Sequence, residues 1–109
     1  MTTTAQSIIA QHMLEKTLQD SICEYAEVRG WRVFHARDSR RQNLAGLPDL
    51  ILLRDRVIWA ELKRHKSGSR GKLSPQQEQV LEDLRNAGQE VYVWRPENWL
   101  SGEVEGILT

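Results

Sequence analysis

Two short apolar runs, Leu50 to Leu53 and Val57 to Leu62, stand on either side of Arg54-Asp55-Arg56. They constrain the fold more than any other part of the chain. Short apolar runs split by a polar triplet predict a β-hairpin with a three-residue connection. The strand period of two puts Ile51, Leu53, Val57 and Trp59 on one face. Leu50, Leu52, Ile58, Ala60 and Leu62 fall on the other. Strands apolar on both faces belong inside a sheet covered on both sides.

The same hairpin sets two acids against each other. With Arg54 to Arg56 as the turn, the simplest register pairs 53 with 57, 51 with 59, and therefore 49 with 61. Asp49 and Glu61 then face each other, with Cβ atoms roughly 4.5–5.5 Å apart. Like charges placed opposite are destabilising, and burial raises the penalty. A divalent cation with oxygen ligands removes it. Lys63 shares the face of Glu61. Two acids and a lysine at one sheet end are the groups that metal-assisted phosphodiester hydrolysis needs: carboxylates to hold an ion, an ion to acidify water, and a cation for the phosphate.

The flanks predict an α/β domain. Leu14, Leu18, Ile22 and Tyr25 fall at helical spacing within a helix expected over residues 7–29, which Gly30 closes. Residues 31–36 alternate as a strand, and 37–47 form a polar loop. Residues 64–73 form a basic, Gly- and Ser-containing loop. Ser74 as N-cap and Pro75 at the first helical position open a second helix, with Val80, Leu81 and Leu84 on its apolar face. Val91 to Trp94 make a last strand. The expected order is α-β-β-β-α-β, a mixed central sheet flanked by helices. A length of 109 residues suits one domain over 1–109. Residues 1–6 are expected as a flexible N-terminus, and 96–109 as a tail holding a short helix or docking on the sheet.

Composition narrows the partners. Hydrophobic residues make up 39% and charged residues 28%, an ordinary globular mixture. No apolar run approaches the ~20 residues of a membrane span, and no signal peptide is evident. The single Cys23 reads as an apolar helix filler in a reducing, cytoplasmic compartment. Net charge is zero but uneven: residues 29–73 carry twelve Lys and Arg against four acids, between two acidic flanks. Such a segment can offer a positive face to a phosphate backbone. His12, His35 and His65 lack metal-ligand spacing, and Trp31, Trp59 and Trp94 read as core.

Gly46-Leu47-Pro48-Asp49-Leu50 followed by Glu61-Leu62-Lys63 resembles the signature of the PD-(D/E)xK nuclease superfamily. Leu73-Ser74-Pro75-Gln76-Gln77, with a helix ending in Ala87-Gly88, resembles the VRR-NUC family within it, and Glu15 matches that family's early acidic residue. The similarity runs from about Glu15 to Trp94. It implies a restriction-endonuclease-like core and a Mg²⁺- or Mn²⁺-dependent endonuclease. Asp49, Glu61 and the Leu62 carbonyl would be metal ligands, with Glu15 reaching the metal directly or through water. Lys63 would be the catalytic lysine and Gln77 a catalytic glutamine. Residue by residue, Gln77 also completes a capping box with Ser74, and Glu15 also reads as a solvated helix acid.

DNA is the expected partner, with Arg40, Arg41, Lys66, Arg70 and Lys72 as phosphate contacts. Branched or Holliday-junction DNA is the expected substrate, cut by a homodimer, with no organic cofactor and no membrane. A bacterial or phage source suits such a chain. A non-catalytic DNA-binding or scaffold module and a restriction-type sequence-specific endonuclease are the alternatives.

Overall fold

The computed structural model describes residues 4–36, 45–66 and 71–109. The hairpin forms as expected: β2 (Leu50–Leu53) pairs antiparallel with β3 (Val57–Leu62), with Leu53 opposite Val57 and Ile51 opposite Trp59. On the outer side of β2 lies β1 (Arg32–His35), also antiparallel. On the far side of β3 lies β4 (Glu90–Trp94), parallel to it and reached through a helical crossover. The sheet is mixed, in the order β1-β2-β3-β4.

The two faces predicted for the hairpin have different covers. Leu50, Leu52, Ile58, Ala60 and Leu62 are almost wholly buried and join Leu18, Ile22, Ala26, Trp31 and Trp94 in the main core. Here α2 (Glu15–Val28) supplies its apolar stripe. The crossover helix α3 (Pro75–Asn86) covers the opposite face over β4, with Leu81 as its buried residue. Cys23 is buried in the main core.

Two expectations are corrected. The helix expected over 7–29 is two helices, α1 (Ala5–His12) and α2, separated by extended backbone at Met13 and Leu14. An unbroken 23-residue helix would run about 35 Å. The break instead turns α1 back onto α4 (Pro96–Leu100), where the Gln6 side chain donates to the Leu100 carbonyl. Leu14, assigned to the apolar stripe, is 53% exposed as a result. Helix α1 also begins inside the segment expected to be flexible.

The C-terminal segment, expected to hold a short helix or to dock, holds two short helices. After α4 comes α5 (Glu103–Leu108), whose Val104 and Leu108 are fully buried. Trp31 Nε1 donates to the Leu108 carbonyl at 2.9 Å, and Trp99 meets Tyr25 edge-on with ring centroids 6.1 Å apart. No described helix is long and apolar enough to cross a membrane.

Candidate active site

Pro48 ends the β2–β3 ladder and thereby opens the site. Regular pairing stops at Leu50 opposite Ala60. The next hydrogen-bonded pair would be 48 with 62, but proline has no N–H to give. The Leu62 N–H is instead taken by the Asp49 side chain, at 2.9 Å to Oδ2. Pro48 offers the Leu62 carbonyl no ladder donor. The Asp49 main chain is held from the other side, where its carbonyl accepts from the Ala36 N–H at 2.9 Å. Gly46 brings the chain in with φ +85°, and a Cβ there would lie 3.0 Å from the Gln76 carbonyl oxygen. The Asp49 segment therefore packs directly on the start of α3.

Among the described residues Glu61 is the one charged side chain in the core, 2% exposed. Gln77 Nε2 donates to its Oε2 at 3.0 Å, while its Oε1 is buried with no hydrogen-bond partner. Burial, reinforced by the neighbouring Asp49 carboxylate, pushes the Glu61 pKa up to about 8. The Lys63 ammonium draws it down, and Glu15 adds a smaller upward push. A buried carboxylate oxygen without a donor beside a second carboxylate is a costly arrangement by itself.

Gln77 forms the capping box and also reaches Glu61. Its Oε1 accepts from the Ser74 N–H at 2.9 Å and its own N–H donates to Ser74 Oγ at 3.1 Å, which is the full capping box. Its Nε2 is left for Glu61. An amide can do both because it has an acceptor at one corner and donors at the other.

A cavity of about 250 Å³ opens beside this cluster, lined by Glu15, Lys16, Gln19, Asp49 and Leu62. Glu15 is the first residue of α2, so the break at Met13-Leu14 delivers it there. Lys16 and Gln19 were not among the site residues expected from the sequence. Gln19 Nε2 also lies 3.3 Å from His35 Nδ1, at the end of β1. Lys63 follows β3 and is half-buried, its N–H donating to the Trp94 carbonyl at 3.1 Å.

Among the described residues no group of three or more His, Cys, Asp or Glu side chains is arranged to hold a metal. The available donors are the Asp49 and Glu61 carboxylates and the Leu62 main-chain oxygen. That set suits an ion that keeps several waters and takes few protein ligands, as Mg²⁺ does. Lys66 and Lys72 are exposed. Arg40, Arg41 and Arg70 lie outside the described residues. The positive face expected of residues 29–73 is incomplete. Arg54 and Arg56 sit at the turn end of the hairpin, 4.4 and 5.3 Å over the Trp31 ring. Arg54 donates to the Arg29 and Thr109 carbonyls, and Arg56 pairs with Glu90 at 2.8 Å.

A mixed four-stranded sheet with Pro-Asp and Glu-x-Lys at one end of a buried hairpin is the architecture of a PD-(D/E)xK-type nuclease domain. Comparison with protein families agrees: the VRR-NUC domain matches residues 3–97. The chain belongs to the VRR-NUC family, with its restriction-endonuclease-like fold. Neither the curated proteins nor the solved structures gave a match.

Proposed function

We propose that this chain is a Mg²⁺- or Mn²⁺-dependent endodeoxyribonuclease that hydrolyses phosphodiester bonds, with branched DNA as its preferred substrate. The observation that carries the metal requirement is the buried Glu61 Oε1, without a donor and next to Asp49. A bound divalent ion supplies a polarised phosphate and a water acidic enough to attack it at neutral pH.

The chain's own residues do the rest. Asp49 and Glu61 would hold the ion, with the Leu62 carbonyl as the further ligand that the family likeness implies. Gln77 fixes Glu61 Oε2 and so aims Oε1. Lys63 stabilises charge on the phosphate and orients the attacking water. Glu15, already lining the cavity, holds the ion through water. Preference for branched DNA rests on the likeness to small family members. A homodimer would supply one site for each of two strands. Phe34 and Leu53, 44% and 38% exposed on neighbouring strands β1 and β2, are the apolar face offered for it. An intracellular location fits a nuclease of this kind.

The test is a cleavage panel of linear, flap, splayed and four-way DNA with Mg²⁺ or Mn²⁺. Nicking by the wild type, lost in Asp49→Ala while DNA binding remains, supports the reading. Equal activity of the two proteins removes it, and cleavage of linear duplex at one fixed sequence replaces branch selectivity with restriction-type behaviour.

A further inference from the structure

A second cavity, of about 340 Å³, lies across the first turn of α3 from the acidic cluster. It is lined by Lys66, Gly71, Lys72, Leu73, Glu78 and Arg95. Gln77 faces Glu61, and the next residue, Glu78, faces this cavity. Among the described residues, three cations meet there against one carboxylate.

The cavity has a built wall. Arg95, at the junction of β4 and α4, donates through Nη1 to the Arg64 carbonyl at 3.0 Å and also to the Gly71 carbonyl. One guanidinium thus ties together the two ends of the basic loop that follows Lys63. The ends touch closely: a Cβ on Gly71 would collide with the His65 carbonyl oxygen and come within 2.9 Å of Lys66 Cα. Lys66 and Lys72, six residues apart in sequence, are therefore brought to the same cavity. Arg95 gave no sign of this in the sequence, where it is one of two cations in the acidic segment 74–109.

The geometry points to a phosphodiester-binding pocket formed by Lys66, Lys72 and Arg95, which takes one backbone phosphate next to the scissile one. Arg95 both lines it and holds its neck closed. This rests on the nucleic-acid reading above and adds to it a site distinct from the metal cavity. One monoanionic phosphate is shared by the cations, rather than one phosphate being met by each.

Sharing has a measurable signature. Fluorescence anisotropy of labelled duplex DNA in EDTA, over a range of salt, reports binding without cleavage. For one shared phosphate, the double variant Lys66→Gln/Lys72→Gln leaves Arg95 on it, so binding weakens about 3- to 10-fold while the slope of log K against log salt flattens by no more than about 0.9. Two independent contacts would flatten it by about 1.8, and wild-type affinity in the double variant would mean no contact; either result overturns the pocket. Glu78→Gln, which removes the one opposing charge, tightens binding, and unaltered affinity there also counts against it. Wild-type cleavage with an unaffected double variant sinks the pocket alone. A wild type that neither binds nor cleaves DNA sinks both readings.

Discussion

Glu61 shows most directly what a residue contributes and what it costs. Its folded-state pKa of about 8 stands above the 4.5 of an exposed glutamate. The metal-free fold therefore binds a proton that the unfolded chain releases between those values. Stability in EDTA should fall as pH rises from about 4.5 to about 8, then level off. Glu61→Gln removes the titrating group, so its melting temperature should change little over that window and exceed the wild-type value at pH 8. Added Mg²⁺ or Mn²⁺ should stabilise the wild type by about 2–3 kcal/mol at a hundred times its Kd, raising its midpoint, and leave the variant unmoved. Calorimetry or fluorescence melts read both effects; a wild-type midpoint that rises with pH contradicts the assigned burial. That Asp49 lies near enough to act on Glu61 was legible because hairpin register is simple arithmetic once the turn is placed, although the ladder itself stops at Leu50 and Ala60. Lys16 and Gln19 were not legible, because only the position of α2 against the sheet end brings them to the cavity.

At the scale of elements, the start of α3 is where stability and the site meet. Ser74→Ala removes the acceptor for the Gln77 N–H but leaves Gln77 Oε1 on the Ser74 N–H. It should cost about 1 kcal/mol in urea denaturation while cleavage persists. Gln77→Ala removes the side-chain half of the cap and the bond to Glu61 together, so it should lose comparable stability and most of the activity. Equal activity of the two variants would confine Gln77 to capping. Strands and α3 could be read from sequence because period, N-cap and proline all agreed. The break at Met13-Leu14 left no such mark. Leu14 is an N-cap without a side-chain bond, and helical periodicity continues through it. The turn is imposed by α1 packing on α4, a contact between residues far apart in the chain. For residues 96–109 a short helix was foreseen but not the pair α4 and α5, since each is short and stable only where it docks.

Across the whole molecule, basic residues divide by the end of the sheet they occupy. The turn arginines lie about 15 Å along the strands from Asp49 and serve the fold there. Arg54→Met should destabilise the chain by about 1–3 kcal/mol, since it loses two charge-assisted bonds to carbonyls, yet leave the salt dependence of DNA binding unaltered. A changed salt slope would place that end of the sheet against DNA. Net charge and segment charge cannot make this division, because sequence position does not say which end of a strand a side chain serves. Assembly belongs to this scale as well. On the proposed homodimer reading, Phe34→Asp places a charge on the exposed β1–β2 face, and light scattering should find the mass halved with the melting temperature nearly kept. An unaltered mass would locate any pairing of copies elsewhere.

The double use of Gln77 has one more consequence. Its amide joins the Glu61 carboxylate to the main chain of Ser74 in a continuous relay. A ligand that immobilises Glu61 also immobilises that relay, so hydrogen–deuterium exchange at the Ser74 and Gln77 amides should slow when the site fills. Those amides would serve as a reporter of occupancy that needs neither a labelled substrate nor turnover.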